Sequence, residues 1–168
     1  EVSAASQPDW YMAWLDGALR VMPGYEVRAF GFEIPNPFFP GVLLASITFG
    51  LLYMWPFLEA RVTRDHAEHH LLDRPRQRPV RTAFGTATLT FYGILFFAAA
   101  SDVISVTFGL SVNAVLWAFR IALFVAPPLV GWATWALCRE LSARDGLATR
   151  SRVKFREIPA RLVDGVRD

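Results

Sequence analysis

The sequence predicts an all-α membrane protein in which three transmembrane helices follow an amphipathic surface helix. Hydrophobic residues make up 54% of the 168-residue chain, and charged residues make up 19%. The charges are concentrated, since residues 38–58, 82–100 and 121–138 contain no Asp, Glu, Lys, Arg or His. A helix needs about 20 residues to cross the hydrocarbon core of a bilayer, so all three runs qualify. A soluble helical domain would be the alternative, but its helices would show a polar stripe, which 38–58 lacks.

The first predicted element is an amphipathic helix over residues 10–22. Aromatic and apolar residues recur at every fourth position, with others beside them: Trp10, Trp14, Ala18 and Met22, then Tyr11, Leu15 and Leu19. Asp16 and Arg20 form an i,i+4 pair on the other face, and Pro23-Gly24 ends the helix. Trp and Tyr favour the headgroup layer, so we expect this helix to lie along the membrane surface. Residues 25–37 are expected to form a proline-rich loop.

Basic residues predict the orientation of the chain. The link 59–81 and the segment after Cys138 are rich in arginine, whereas the link 101–113 contains no Lys or Arg. Basic loops remain in the cytoplasm. We therefore divide the chain into an outer-side segment (1–37), a three-helix transmembrane domain (38–138) and a cytoplasmic tail (139–168). This predicts a multi-pass membrane protein with residues 1–37 on the outer side and both the 59–81 link and the tail in the cytoplasm.

The candidate functional site is the box Pro8-Asp9-Trp10-Tyr11, which places a carboxylate between a rigid proline and two aromatic rings. A carboxylate close to a bilayer is costly unless it is used. A group that takes up protons at the edge of an apolar pocket would have this composition. The alternative is that Asp9 caps the surface helix, a role that suits Asp, and the two roles can coexist.

Other charged clusters give weaker signals. His66 and His70 could share a helical face with Asp65 or Glu68 as metal ligands, but nearby arginines oppose cation binding, so we expect a solvated loop and no metal site. Those arginines are not interleaved with aromatic residues, which argues against a nucleic-acid surface. They are better explained as topology signals and as contacts for anionic lipids.

Two features of the spans concern packing. We expect Arg120 to snorkel toward the outer headgroups, with Asp102 as its possible partner across the short link. Pro127-Pro128 is expected to kink or loosen the third span. The second span contains small residues that would allow close helix approach: Ala83, Gly85, Ala87 and Gly93.

Together, the box, the aromatic surface helix and the three spans with a basic loop after the first resemble the C-terminal part of cytochrome b. This is the quinol-oxidising membrane subunit of cytochrome bc complexes. Residues 10–22, 49–56, 69–75 and 80–83 are most similar to the actinobacterial branch, which implies localisation to a bacterial plasma membrane. A chain of this size is also similar to subunit four of the photosynthetic cytochrome complex. The family's box is Pro-Glu-Trp-Tyr, so Asp9 is one methylene shorter than the family's acid.

The resemblance implies that this chain forms part of an outer-side quinol-oxidation pocket, with menaquinol as substrate. Pro8, Asp9, Trp10 and Tyr11 would line the pocket, and Asp9 would be catalytic by accepting a proton. The haem b groups would be held by the N-terminal half of the subunit and none by this chain. Implied partners are that half, a Rieske iron–sulfur protein, a cytochrome c subunit, a terminal oxidase in a supercomplex, and a second copy of the complex.

Two other functions stay open at this point. A non-catalytic structural or assembly subunit of a respiratory complex would explain the spans and the surface helix, but would leave Asp9 unexplained. A small transporter or channel component would carry ionisable residues at mid-span, and these spans have none.

Overall fold

The computed structural model describes residues 9–29, 31–63 and 74–156, and in the last range it describes side chains as far as residue 145. Pro8, the three histidines and residues 157–168 lie outside the described residues. The predictions that concern the metal-like cluster and the end of the tail are therefore not addressed below.

Five α-helices and one small hairpin make up the described chain. In chain order they are α1 (Ala13–Val21), β1 (Val27–Ala29), β2 (Phe32–Ile34), a π-helix (Phe38–Leu43) that leads into α2 (Leu44–Thr63), a 3₁₀ turn (Pro75–Gln77), α3 (Pro79–Ala98), α4 (Ser101–Phe108) and α5 (Val112–Arg156).

The predicted fold class is confirmed. Three helical segments are long and apolar enough to cross a membrane: Phe38–Val62, Pro79–Ala98 and Val112–Asp145. They contain the charge-free runs 38–58 and 121–138 and most of the run 82–100, and a shorter helix, α1, precedes them. Nearly all large apolar side chains of the first span are exposed, as expected for a helix whose surroundings are lipid or other protein.

The structure corrects the prediction that residues 25–37 form only a loop. Val27–Ala29 and Phe32–Ile34 pair as antiparallel strands, with Val27 opposite Ile34 and Ala29 opposite Phe32. Both strands have one charged residue between two apolar ones, which is the period of a strand. Gly31 has φ +79°, a conformation that glycine adopts without steric cost in a tight turn.

A second difference lies in the link 101–113, where α4 occupies Ser101–Phe108. Gly109 ends this helix with φ +64°, the left-handed conformation that commonly terminates helices. The Ser105 hydroxyl donates a hydrogen bond to the Leu110 carbonyl at 2.6 Å. The link therefore contains a short helix that ends in a tight turn at Gly109.

Helices α3 and α5 form the main packed pair of the spans. A Cβ atom on Gly131 of α5 would lie 3.2 Å from the Ala87 Cβ atom and 3.3 Å from the Ala83 carbonyl oxygen. Two hydroxyls, Thr86 and Thr134, are 3.1 Å apart in the same interface. The expected use of Ala83 and Ala87 is thus confirmed, whereas a Cβ atom at Gly85 or Gly93 would meet no atom within 4 Å.

Helix α5 continues through the proline pair. Pro127 and Pro128 lie inside it, although proline lacks the N–H needed for the helical hydrogen bond. The pair therefore does not end the helix, and α5 continues through both residues as one element.

Ion pairs and a hydroxyl contact join the elements at one end of the bundle, called the basic end. Arg76 of the 3₁₀ turn pairs with Asp145 of α5 at 3.0 Å, and the Ser142 hydroxyl donates to the Arg76 carbonyl. Arg81 of α3 pairs with Glu59 of α2 at 3.0 Å. The described parts of the first link and residues 142–145 of α5 therefore share one end of the molecule.

Candidate functional site

The described residues of the box form an exposed turn directly before α1. The Tyr11 hydroxyl donates a hydrogen bond to Asp9 Oδ2 at 2.7 Å. The Trp10 and Tyr11 rings meet edge to face, with centroids 6.0 Å apart. Trp10 is 77% exposed and Tyr11 is 57% exposed. The chain therefore presents a carboxylate and two aromatic rings at its surface, where another component can reach them.

Backbone hydrogen bonds connect this turn to α1. The Met12 N–H donates to the Asp9 carbonyl at 2.9 Å, and the Ala13 N–H donates to the Trp10 carbonyl at 3.4 Å. The N-cap residue of α1 is Met12, and no side chain caps the helix. The predicted helix start at residue 10 and the alternative role of Asp9 as a side-chain cap are therefore both wrong, because residues 10–12 form a turn and the Asp9 carboxylate accepts from Tyr11.

The hydrogen bond has an electrostatic consequence for Tyr11. Donation to the Asp9 carboxylate favours the protonated phenol, and slight desolvation acts in the same direction, so the pKa of Tyr11 is raised above its ordinary value. The phenol therefore remains a donor to Asp9 at neutral pH. This hydrogen bond, donated by the Tyr11 hydroxyl, fixes the orientation of the Asp9 carboxylate.

Helix α1 docks closely on α3 rather than only lying along a membrane surface. A Cβ atom on Gly17 would lie 1.7 Å from the Leu95 carbonyl oxygen and 3.0 Å from the Ala99 backbone nitrogen. Only glycine fits at this position. The buried residues of α1 are Ala13, Gly17, Ala18 and Val21.

Trp14 connects α1 to the first two spans. Its ring packs edge to face against Tyr92 of α3, at a centroid distance of 5.4 Å, and against Phe49 of α2, at 6.4 Å. The Tyr92 hydroxyl lies 2.5 Å from the Thr48 hydroxyl of α2. One tryptophan thus contacts two spans that also contact each other through a hydroxyl pair.

Charged groups secure the C-terminal end of α1. The Arg20 Nε atom donates to Asp16 Oδ2 at 2.7 Å, and Arg20 Nη1 lies 3.1 Å from Asp102 Oδ1. The predicted Asp16–Arg20 pair is confirmed, but it is directed toward α4 and is partly buried. Asp102, in the first turn of α4, is 7% exposed.

Arg120 corrects another prediction. Its Nε atom donates to the Val21 carbonyl of α1 at 2.7 Å, and its guanidinium lies 5.0 Å from the centroid of the Trp117 ring. Asp102, its suggested partner, pairs with Arg20, and Arg120 binds a carbonyl of the last turn of α1, which a helix end leaves available. The expected snorkelling toward the headgroups stays a prediction.

These contacts define a second end of the bundle, the docked end, where α1, α4, the end of α3 and the start of α5 meet. Sequence reasoning missed Gly17 and the Arg20–Asp102 pair. The signal for Gly17 was a glycine inside a helix, which is unfavourable by about 1 kcal/mol relative to alanine unless packing requires it. No local pattern indicates the Arg20–Asp102 pair, because its residues are far apart in the chain.

Metal ligands are not grouped in the part of the chain that the structure describes. Those residues include no cluster of three or more His, Cys, Asp or Glu that could hold a metal ion. Cys138 is buried and is not part of a disulfide.

Three membrane-length helices define a multi-pass helical membrane protein. Its exposed acidic–aromatic turn directly precedes a short helix that docks on these spans. No family model matches the chain. Curated proteins do: the cytochrome bc1 complex cytochrome b subunits of Streptomyces coelicolor, Corynebacterium diphtheriae and Mycobacterium leprae are each 43% identical to it over 86% of the chain.

These relationships show that the chain belongs to the cytochrome b subunit family. It spans about a quarter of the length of the curated relatives it matches, namely 27%, 27% and 26% of the three, consistent with a C-terminal part of such a subunit.

Proposed function

We propose that this chain is part of the cytochrome b subunit of a respiratory cytochrome bc complex, an oxidoreductase and proton-translocating enzyme. Its contribution is part of the wall of an outer-side quinol-oxidation pocket. The kinship with cytochrome b subunits supports the assignment to the complex. The observation that carries the assignment to the pocket is the exposed Asp9 carboxylate, oriented by the Tyr11 hydroxyl beside the Trp10 ring.

The chemistry follows from the groups in the turn. Oxidation of a quinol to a quinone releases two electrons and two protons. A carboxylate has about four lone-pair positions, so Asp9 can accept from Tyr11 and also from a substrate hydroxyl. Asp9 is the proposed acceptor of one proton, while Trp10 and Pro8 provide apolar pocket wall. We propose menaquinol as the substrate, on the similarity to actinobacterial relatives.

The proposed orientation uses the two ends of the bundle. The docked end contains α1 and α4, and the link that includes α4 has no Lys or Arg. The basic end contains Arg76, Arg81, Arg139 and Arg144. Because basic segments remain in the cytoplasm, we place the basic end inside and the box outside, where the released protons would leave.

The described part of this chain lacks the side chains that would hold haem b. The described residues include no histidine, since all three histidines lie within residues 64–73, so they do not provide a bis-histidine site. We propose that the haems are held by the N-terminal half. The other proposed partners are a Rieske iron–sulfur protein, a cytochrome c subunit, a terminal oxidase and a second copy of the complex.

The test is Asp9→Asn in the assembled complex. A positioned general base typically contributes 10²–10⁴-fold, so quinol oxidation is expected to fall by about 100-fold, with normal haem content and subunit composition. Asp145→Asn is the matched control, because it removes the same charge at the basic end, and it should leave turnover unchanged.

Unchanged turnover in Asp9→Asn would contradict the proposed role. The chain would then be a structural or assembly subunit, for which the docking of α1 is sufficient and the carboxylate has no chemical role.

A further inference from the structure

Asp102 is a buried charge that the proposed chemistry does not use. It lies in the first turn of α4 and is 7% exposed. A buried carboxylate is strongly unfavourable without a partner. Its Oδ1 atom lies 3.1 Å from Nη1 of Arg20, and the side chain of Arg20 is itself only 28% exposed. The pair is therefore screened from solvent and can have a larger effect than an exposed ion pair.

Arg20 is held at two points. Its Nε atom donates to Asp16 Oδ2 at 2.7 Å, one turn earlier in α1, while Nη1 reaches Asp102 of α4. Two carboxylates on different elements thus fix the guanidinium. The neighbouring residue, Val21, accepts a hydrogen bond from Arg120 of α5 through its carbonyl. The C-terminal end of α1 is thereby attached to both α4 and α5.

The acidic–aromatic turn lies at the opposite end of the same short helix. Helix α1 contains nine residues, and the carbonyls of Asp9 and Trp10 accept hydrogen bonds from its first residues. Gly17 rests against α3 in the middle of the helix. Any rotation or slide of α1 at Arg20 would therefore displace Asp9 and Tyr11.

We propose that Asp102 is a positioning residue, whose ion pair with Arg20 fixes α1 on the bundle and thereby places Asp9 and Tyr11 at the quinol pocket. This inference rests on the proposed function. It assigns a role in the reaction to a residue of the second link that touches neither the substrate nor the box.

The first measurement is turnover in the complete complex carrying Asp102→Asn, Arg20→Gln or both. A misplacement of about 1 Å can cost on the order of 100-fold in rate, so kcat should fall at least about 10-fold in each single variant, with unchanged haem content. The double variant should be no slower than the slower single variant, because both remove the same interaction. Arg20→Lys, which keeps the charge, should recover part of kcat.

The second measurement does not depend on quinol. Val21 is 5% exposed, so the thiol introduced by Val21→Cys, in a Cys138→Ala background, should react slowly with a maleimide reagent. Addition of Asp102→Asn should increase the labelling rate at least about 10-fold, because α1 separates from α4. Addition of Asp145→Asn, the matched charge removal at the basic end, should change neither labelling nor turnover.

Each outcome separates the two proposals. Unchanged labelling in Asp102→Asn overturns the docking role. Faster labelling with normal turnover overturns the positioning role if Asp9→Asn still lowers turnover by about 100-fold. If Asp9→Asn is also fully active, the proposed function itself fails, and the positioning of a catalytic carboxylate fails with it. If Asp102→Asn does not assemble, Arg20→Gln, which removes the same ion pair, decides by the same two measurements.

Discussion

The Tyr11–Asp9 hydrogen bond is exposed, so it contributes little to folding, and its importance in the proposed function is the orientation of the carboxylate. Both side chains are solvent-accessible, and exposed polar contacts contribute little to stability. Their bond instead holds the carboxylate in one orientation. Because the pKa of Tyr11 is raised, the contribution of the bond is complete below the ordinary phenol pKa and is lost as the pH rises through the raised value.

At this scale we predict that Asp9→Asn lowers the pKa of Tyr11 toward its ordinary value, because a neutral amide oxygen stabilises the phenol less than a carboxylate does. The measurement is the ultraviolet absorbance of the phenolate during alkaline titration, as the difference between each protein and its Tyr11→Phe counterpart. Asp145→Asn is the control and should leave the difference curve in place. A curve that Asp9→Asn does not shift would show that the hydrogen bond is absent in solution.

The packing of α1 on α3 depends on the absence of a side chain at Gly17. The docked face contains small residues, and the Leu95 carbonyl of α3 occupies the place where a side chain at Gly17 would begin. A peptide carbonyl cannot move without its helix. The position therefore determines how deeply α1 can pack, and through Trp14 it also affects the contacts with Phe49 and Tyr92.

We predict that Gly17→Ala destabilises the docked state. Alanine improves helix propensity by about 1 kcal/mol, but overpacking against a rigid neighbour costs about 1–3 kcal/mol, and here the neighbour is backbone. Because backbone cannot move aside, the cost should lie in the upper part of that range, about 2–3 kcal/mol. The net loss should then be about 1–2 kcal/mol, measured by thermal denaturation in detergent with tryptophan fluorescence. Gly24→Ala, at an exposed glycine whose Cβ atom would meet nothing within 4 Å, should have no effect. Equal stability of the two variants would contradict the close approach.

The spans were predictable and the docking was not, for different physical reasons. A bilayer imposes a length and excludes charge, so the charge-free runs locate the first two spans to within four residues, whereas the third helix extends well beyond its run at both ends. The apolar pattern of α1 was predicted from Trp10, Trp14, Ala18 and Met22, with Tyr11, Leu15 and Leu19 beside them. Of these, Trp10 is exposed and Ala18 is buried, whereas Ala13 and Gly17, outside the pattern, are also buried. Hydrophobic periodicity follows large side chains, but a close helix contact requires small ones.

The candidate site likewise has a local part that was predictable from the sequence and long-range contacts that were not. The box was identified from consecutive residues, and its internal hydrogen bond depends only on local geometry. Arg20 and Asp102 belong to different elements, and the partner of Arg120 is a backbone atom, Val21 O. No sequence pattern identifies a backbone acceptor, so pairing by charge alone led to the wrong assignment.

For the whole molecule, the arrangement of the two ends yields a prediction about orientation. Glu26→Cys at the docked end and Ala143→Cys at the basic end, each in a Cys138→Ala background, introduce exposed thiols. In intact cells whose outer barrier admits the reagent, a membrane-impermeant maleimide should label the Glu26→Cys protein. The Ala143→Cys protein should react only after the membrane is opened. The reverse pattern would invert the proposed topology and place Asp9 on the side where protons are taken up.

The interactions that hold the basic end together respond to dissolved ions differently from those that hold the docked end together. At the basic end, the pairs of Arg76 with Asp145 and of Arg81 with Glu59 are partly open to solvent, so counterions screen them over about 8–10 Å at ordinary ionic strength. At the docked end, the Arg20–Asp102 pair is largely buried, and Arg120 binds an uncharged carbonyl. Concentrated salt therefore weakens the attachments at the basic end first, while α1 remains in place.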